Sequence, residues 1–360
     1  MSSSFQKCTR PAHRGIPGTK LSPLTAETVL SCGVSAVDFI LGGGLPLGGI
    51  LLAEEDAFGT YSRQLLKYYV AEGIEQKHLV YFASGDVEPS KFLRELPKAL
   101  QFSAAGQPAS ASSTTSDGDL KIAFRYERMA KQDSLLDYDE LDHVFDFSDR
   151  IESTKLYGAC VNTFSPCETW GNAADRSAGV VEPNYASVLG CVSSLVDKAK
   201  TDDSASHTAV RIALQGLGGP AWGSVASVCS FLHALKALIR GEPASVFVTV
   251  PEVITKAHPS VLRCCRRVVD IVLKVQAFDD HERGANPLYK NYHGLLQIVK
   301  LCRLSSLGVR MPDCDFLFHQ RSKKFLVERL HLPPELETEE TTSTDKLSGL
   351  ACASNQKFSF

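Results

Sequence analysis

Long runs of consecutive apolar residues divide this chain, and helix-like stripes lie between several of them. The run at 49–53 does not alternate with polar residues, and the segments 79–83, 210–214 and 245–250 are mostly apolar, so they predict buried strands, as in parallel sheets. Residues 224–240 instead place apolar side chains at helical spacing. This alternation of buried strands with helices predicts an α/β fold with a mostly parallel central sheet flanked by helices.

The last third of the chain has a different pattern, because apolar segments follow one another there with little helical sequence between them. Strands are predicted at 268–275, 294–304, 315–318 and 324–330. Strands that follow one another without a crossover helix usually pair in antiparallel fashion. We therefore expect the sheet to end in a late antiparallel section.

Two tails and two insertions interrupt this pattern. Residues 1–24 are rich in serine, proline and basic side chains and residues 337–360 are mostly polar, so both are predicted to be disordered tails. Residues 101–118 form a low-complexity insertion almost without large apolar side chains. Residues 133–209 are predicted as a second insertion, acidic at first and then helical. Residues 25–336 as a whole are predicted to form a single domain.

Charge and cysteine content exclude some classes of function. The 360 residues carry a net charge of −3, so there is no global basic field, although a local basic patch can still bind nucleic acid. The eight acidic side chains of residues 133–152 do not follow the spacing of a calcium-binding loop, so no metal site is expected. None of the 11 cysteines forms C-x-x-C, which favours free thiols in a reducing compartment.

The apolar runs are all shorter than the roughly 20 residues that span a bilayer, and the first residues do not resemble a secretory signal. We therefore expect no membrane contact. The expected location is the cytoplasm, with the nucleus as a further location.

The first buried run, its polar loop and the following helix form the frame in which a phosphate-binding loop lies. That loop needs G-x-x-x-x-G-K-[ST], because glycines let backbone N–H groups approach phosphate, lysine neutralises it and the hydroxyl binds magnesium. Here Glu55, Thr60 and Tyr61 replace the two glycines and the lysine, and only Ser62 matches. An ordinary strand-to-helix connection is the alternative interpretation.

The position of the magnesium-binding aspartate also differs from the P-loop pattern. In a P-loop ATPase a buried strand ends with an aspartate that helps to hold magnesium. The strand that begins at Val210 has Gln215 in that place, and an amide oxygen is a poor ligand for a divalent cation. With the lysine and the aspartate both absent, we expect no catalytic residue, no bound cofactor and no metal at this site.

The segment before the loop resembles a known family. Its pattern is S-x-G-x-x-x-x-D-x-x-L-G-G-G-L-P-x-G, which is similar to the entry into the nucleotide site of RecA- and KaiC-type proteins. Together with the acidic loop and the segments N-P-L-Y-K-N-Y-H-G and E-R-L-H-L-P-P-E-L, it resembles the family of the fourth Elongator subunit. The residues that carry the pattern are Ser31, Gly33, Asp38, Leu41, Gly42, Gly43, Gly44, Leu45, Pro46 and Gly48, and the two later segments are 286–294 and 328–336.

This resemblance implies a RecA-like fold of the P-loop NTPase type without working Walker motifs. It also implies a hexameric ring with Elongator subunits five and six that binds tRNA and supports the addition of carboxymethyl-type groups (the mcm5U, ncm5U and mcm5s2U side chains) to wobble uridines. The catalytic Elongator subcomplex would then carry out the chemistry, and this chain would be an accessory subunit rather than an enzyme.

Two basic clusters are candidates for contacts with tRNA phosphates, although solvated surface charge is the commoner explanation for short basic runs. No alternation of aromatic and basic residues indicates base-specific recognition. Two other functions are weighed as alternatives, an active RecA-like ATPase and a stand-alone nucleic-acid-binding protein. The clusters are Arg263, Arg266 and Arg267, and Arg321, Lys323 and Lys324.

One aromatic group remains open to two interpretations. Tyr289, Tyr292 and His293 lie close together in the N-P-L-Y-K-N-Y-H-G segment. They either line a subunit edge or a nucleotide-facing rim, or they belong to a hairpin whose rings pack on the core.

Overall fold

The computed structural model describes residues 15–22, 27–100, 143–166, 182–201, 208–286, 289–302, 315–321 and 324–329. The strands are β1 Thr19–Leu21, β2 Thr28–Leu30, β3 Leu45–Pro46, β4 Ile50–Glu54, β5 Leu79–Ser84, β6 Pro97–Leu100, β7 Val144–Arg150, β8 Val161–Phe164, β9 Val210–Gln215, β10 Ala244–Val250, β11 Ile271–Ala277, β12 Gly294–Lys300, β13 Phe316–Arg321 and β14 Lys324–Arg329. The helices are α1 Ser35–Leu41, α2 Thr60–Glu75, α3 Pro89–Arg94, α4 Ser153–Gly158, α5 Pro183–Thr201, α6 Ser227–Ile239, α7 Glu252–Ala257, α8 Pro259–Val268 and α9 Asp280–Ala285.

The central sheet of the described chain has nine strands in the order β14-β13-β12-β11-β4-β10-β9-β5-β8. The strands from β8 to β11 pair in parallel, with β4 between β10 and β11. The strands β11, β12, β13 and β14 pair in antiparallel fashion. The predicted α/β class is therefore confirmed, with a mostly parallel sheet and a late antiparallel section, as in RecA-like proteins.

Each face of the sheet buries its own apolar core. On one face, α2 packs through side chains such as Leu66 and Val70 against Phe82 and Phe247. On the other face, α5 and α6 cover alternate residues of the same strands, such as Ile212. Burying one such side chain stabilises the fold by about 1.5–3 kcal/mol, so these two layers hold the strand ends in place.

The glycine-rich entry segment forms a hydrogen-bonded turn before β4. The hydroxyl of Ser31 donates to Asp38 Oδ2 at 2.5 Å, and the N–H of Cys32 donates to Asp38 Oδ1 at 2.7 Å. Gly44 has φ +134 and lies against the carbonyl oxygen of Leu30, where a Cβ atom would clash. The pattern that carried the family resemblance thus shapes the approach of the chain to β4.

The predicted disordered tail of residues 1–24 is wrong for residues 15–22. Strand β1 pairs in antiparallel fashion with β2, which gives its backbone N–H and C=O groups partners. The side chain of Ile16 is 5% exposed, and a ring nitrogen of His78 lies 2.8 Å from the carbonyl oxygen of Pro17. These contacts order a segment whose composition alone favoured disorder.

The predicted insertion at 133–209 also needs correction, because part of it belongs to the sheet. Strand β8 pairs in parallel with β5 and forms one edge of the central sheet, while β7 pairs with β6 in a separate two-stranded sheet. Within these residues, Pro183–Thr201 form helix α5. The insertion at 101–118, the start of the acidic segment and the tail at 337–360 lie outside the described residues.

No helix in the described part of the chain is long and apolar enough to cross a membrane.

Candidate functional site

The loop between β4 and α2 lies at the carboxyl ends of the parallel strands, where open α/β folds bind ligands. Strand β4 ends at Glu54, and α2 begins at Thr60. Gly59 precedes the helix with φ +61, the left-handed region that glycine adopts without strain. Strand, loop and helix thus follow in the predicted order, so the position that a phosphate occupies in a P-loop protein is identified.

The carboxylate of Asp56 occupies the N-terminus of α2. It accepts hydrogen bonds from the backbone N–H groups of Thr60 at 2.9 Å and of Tyr61 and Ser62 at 3.1 Å. The hydroxyl of Ser62 donates to it as well, at 3.1 Å. Asp56 is only 3% exposed. The first N–H groups of a helix commonly bind an anion such as phosphate. Here the carboxylate of Asp56 takes that place.

A second carboxyl group, that of Glu55, lies beside this position. Burial raises the pKa of Glu55 to about 7, and the nearby carboxylates of Asp86 and Asp56 act in the same direction. The hydroxyl of Thr249 hydrogen-bonds the Glu55 side chain, and Arg63 offsets part of the effect. Partial burial also raises the pKa of Asp86. An incoming triphosphate would therefore meet carboxyl groups here, and the lysine that normally attracts it is missing.

Tyr61, which replaces the phosphate-binding lysine, packs against the antiparallel section. Its ring centroid lies 4.8 Å from that of Phe318 in β13, in an edge-on arrangement, and 6.0 Å from that of His293. Burial raises the pKa of the Tyr61 hydroxyl. This residue therefore joins α2 to β13 through aromatic packing, which is a structural role.

Gln215 ends β9 at the position of the magnesium-binding aspartate. It is 2% exposed, and its Oε1 has no hydrogen-bond partner within the described part of the chain. Its backbone carbonyl accepts a hydrogen bond from the indole N–H of Trp222 at 3.1 Å. Because side chains alternate along a strand, Gln215 lies on the same face as Ala213, which belongs to the core that includes α2. The amide thus stands beside the loop without the charge that a cation requires.

Among the described residues, no three His, Cys, Asp or Glu side chains are grouped so that they could hold a metal ion. Ser62 is bonded to Asp56, and the carboxylate of Glu54 is bound to Arg266. Ser62 and Glu54 are therefore engaged by other groups of the chain, whereas within the described residues the Oε1 atom of Gln215 is not.

The first basic cluster lies on α8, and its three arginines differ in role. The guanidinium of Arg266 forms two hydrogen bonds with the carboxylate of Glu54, Nε to Oε1 at 2.6 Å and Nη2 to Oε2 at 2.7 Å. Glu54 is 3% exposed, so Arg266 neutralises a buried charge at the end of β4. The side chains of Arg263 and Arg267 are exposed. Only these two are available to a partner.

The second cluster is only partly described. Arg321 ends β13, is exposed, and donates from Nε to His319 Nε2 at 2.8 Å. Lys324 begins β14 and pairs with Arg321 in the ladder, whereas Lys323 lies outside the described residues.

The aromatic group near residue 290 packs within the chain. The ring of Tyr289 stacks on Phe278 with centroids 4.4 Å apart. The hydroxyl of Tyr292 donates to the Glu328 carboxylate at 2.7 Å, and His293 Nδ1 accepts from the N–H of Gln320 at 3.2 Å. These contacts favour the interpretation in which the rings pack against neighbouring strands.

Sequence reasoning missed three of the residues that shape this site. Asp56 lies three residues before Gly59, the N-cap residue of α2, so the usual capping pattern does not mark it. Asp86 and Thr249 come from the ends of β5 and β10, and no local pattern marks them. Their contribution depends on the sheet order.

Comparisons with known proteins agree with the motifs. The family model described as PAXNEB protein matches residues 12–359. Elongator complex protein 4 of Danio rerio is 33% identical over 377 residues, covering 98% of this chain and 93% of the relative. The proteins of that name from Xenopus laevis and Mus musculus are each 32% identical and cover 97% and 91% of this chain, and 91% and 82% of the relatives. The resemblance is thereby confirmed, and the chain belongs to the PAXNEB protein family.

Proposed function

We propose that this chain is a non-catalytic accessory subunit of the Elongator complex. In this proposal it assembles with Elongator subunits five and six into a hexameric RecA-like ring. The ring binds tRNA and supports the catalytic Elongator subcomplex, which adds carboxymethyl-type groups to wobble uridines. The name of the relatives, Elongator complex protein 4, supports membership of the complex, and the RecA-like sheet supports the ring.

The observation that carries the non-catalytic part of the proposal is the position of Asp56. Its carboxylate takes the backbone donors and the hydroxyl that would otherwise bind phosphate and magnesium. An anion arriving from solution would have to displace a buried carboxylate that is covalently part of the same loop, which gives the internal group a high effective concentration. The rival function, an active RecA-like ATPase, requires these donors to be available.

The proposed tRNA contacts are electrostatic. Exposed Arg263 and Arg267 on α8, and Arg321 with its neighbours Lys323 and Lys324, are suited to contact phosphate oxygens rather than bases. Arg266 supports α8 through its ion pair with Glu54 and is not proposed to contact RNA directly. The net charge of −3 makes a stand-alone nucleic-acid-binding protein the weaker alternative. We propose a location in the cytoplasm, with the nucleus as a further location.

Gentle affinity purification of the full chain from its own cells tests membership. We expect the two other ring subunits in equal amounts and the catalytic subcomplex at low salt. Cells lacking the chain should lose the modified wobble uridines of their tRNA, measured by mass spectrometry of digested tRNA. Recovery of the chain alone, with tRNA modification intact in the deletion, would contradict the proposal.

Mobility-shift titrations of the purified ring with tRNA, repeated across salt concentrations, test the proposed contacts. Replacing Arg263 and Arg267 together by alanine should weaken binding and reduce the salt slope by about one for each lost phosphate contact. Arg240→Ala removes an exposed arginine beyond the end of α6 and is the matched control. Equal weakening by the control, or an unchanged slope in the double variant, would argue against these residues.

A further inference from the structure

Three cysteine thiols meet where α6 packs against α8. Cys229 lies in the first turn of α6, while Cys264 and Cys265 are adjacent in α8. The thiol of Cys229 is within hydrogen-bond reach of both Cys264 and Cys265. Cys265 belongs to the core on this face of the sheet, and Cys229 packs against that core. Two helices are thus joined by a sulfur-rich contact that neither the fold nor the proposed function requires.

The three thiols differ in their access to solvent. Cys264 is exposed, Cys229 is half-buried and Cys265 is buried. Burial raises the pKa of Cys265 to about 12, so it remains a thiol at neutral pH. Burial also raises the pKa of Cys229. Since oxidants react with accessible thiolates, Cys264 is the group that a small oxidant reaches first.

The geometry also selects the pair. Residues adjacent in a helix do not face each other, so Cys264 and Cys265 are poorly placed to react together. The thiol of Cys229, on the other helix, is within hydrogen-bond reach of Cys264 and can attack an oxidised sulfur there.

We propose that Cys264 and Cys229 form a peroxide-sensitive thiol pair that closes into a disulfide between α8 and α6. Hydrogen peroxide transfers one oxygen to the Cys264 sulfur, which becomes a sulfenic acid while one water leaves. The Cys229 sulfur then attacks the Cys264 sulfur, the S–O bond breaks and a second water leaves. Two thiols and one peroxide thus give one disulfide and two waters. A dithiol reductant reverses the reaction through thiol–disulfide exchange.

This proposal does not depend on tRNA binding. If the proposed RNA contacts of Arg263 and Arg267 also hold, the disulfide would restrain the helix that carries them. The pair can be tested on the purified full-length chain.

The test is a peptide map of the chain after graded exposure to hydrogen peroxide. Remaining thiols are alkylated, and the unreduced chain is digested with trypsin. Cleavage after arginine and lysine releases Cys229 in the peptide 212–236 and Cys264 in the peptide 264–266. We expect these two peptides to appear as one linked species, lighter by two hydrogens than their sum, that separates on reduction.

Three variants make the assignment specific. Cys264→Ser should abolish the linked species, and since this side chain is exposed, the variant should fold normally. Cys229→Ser should abolish the link as well, but leave Cys264 as a sulfenic acid that a dimedone probe labels. Cys160→Ser removes an exposed thiol elsewhere and should leave the link unchanged.

Two results would overturn the proposal. One is a chain in which Cys160 is oxidised while Cys229 and Cys264 stay reduced at the same peroxide concentration. The other is a link that survives Cys264→Ser because Cys229 has bonded to Cys265.

Discussion

The end of β4 and the end of β9 lie at the two positions where a P-loop protein binds phosphate and magnesium, and their side chains differ in how they are engaged. After β4, the carboxylate of Asp56 satisfies three backbone donors and one hydroxyl. At the end of β9, the Gln215 Oε1 is buried without a partner in the described chain. The N-terminus of α2 is occupied by the Asp56 carboxylate, which is held by internal hydrogen bonds. The Gln215 side chain instead carries no charge, and its Oε1 atom makes no hydrogen bond in the described chain. Substitutions at the two positions should therefore differ sharply in effect.

The largest effect is expected at Asp56. Asp56→Ala removes the acceptor of several helix N-terminal donors and should lower the free energy of unfolding by about 3 kcal/mol. Asp56→Asn keeps one acceptor oxygen and should cost less than half as much. Urea denaturation at pH 7 measures both. Equal stability of wild type and Asp56→Ala would show that the cap contributes nothing.

The next largest effect on the free energy of unfolding is expected for a substitution of Glu55, and this effect depends on pH. Its pKa is raised by burial to about 7, so folding favours the protonated form. The stabilising contribution is complete below the pKa of the unfolded chain, near 4.5, and is lost as pH rises through about 7. Glu55→Gln should therefore raise the unfolding free energy at pH 8 by about 2 kcal/mol and change it little at pH 4.5.

Urea titrations of wild type and Glu55→Gln at both pH values give this comparison. A gain of the same size at both would contradict the raised pKa, because it would arise from packing alone.

Tyr61→Lys tests whether restoring the motif lysine is enough to give ATP binding. It restores the motif residue but removes the aromatic contacts with Phe318 and His293, so stability should fall by about 1 kcal/mol. Because Asp56 still occupies the helix terminus, the variant should not bind ATP in equilibrium dialysis. Tyr61→Phe keeps the ring and is the control for stability. Tight ATP binding by Tyr61→Lys would mean that Asp56 does not close the site.

The smallest effect is expected at Gln215. Replacing a buried amide that has an unpaired oxygen with an apolar side chain of similar size is nearly neutral. Gln215→Met should thus change the free energy of unfolding by less than about 0.5 kcal/mol. A loss comparable to that of Asp56→Ala would indicate that the amide makes a contact of real energetic weight and would erase the contrast between the two positions.

The fold was largely predictable, because its signals are local. Mostly apolar runs identified β4, β5, β9 and β10, and helical spacing identified α6. Strand β8 was missed since only four residues pair there and its side chains are partly exposed at the sheet edge. Strand β1 was missed because its order depends on pairing with β2 and not on its composition.

From the sequence, only the absence of motif residues at the candidate site could be predicted. The missing lysine and aspartate are visible at Tyr61 and Gln215, since the motif states where they belong. The contacts that the structure shows near these positions are not visible in the sequence. The Glu54–Arg266 pair joins residues 212 positions apart, and Asp56 reaches the N-terminus of α2 through the geometry of its loop. The basic cluster on α8 shows the same limit, since its sequence does not reveal that Arg266 is paired internally.

The central claim is that the carboxylate of Asp56 occupies the N-terminus of α2, where a phosphate group would otherwise bind. It is tested most directly by ATP turnover of the isolated chain in the presence of magnesium, with Ser62→Ala as the matched variant. We expect no phosphate release above background from either protein. Magnesium-dependent turnover by the wild type that Ser62→Ala abolishes would contradict it.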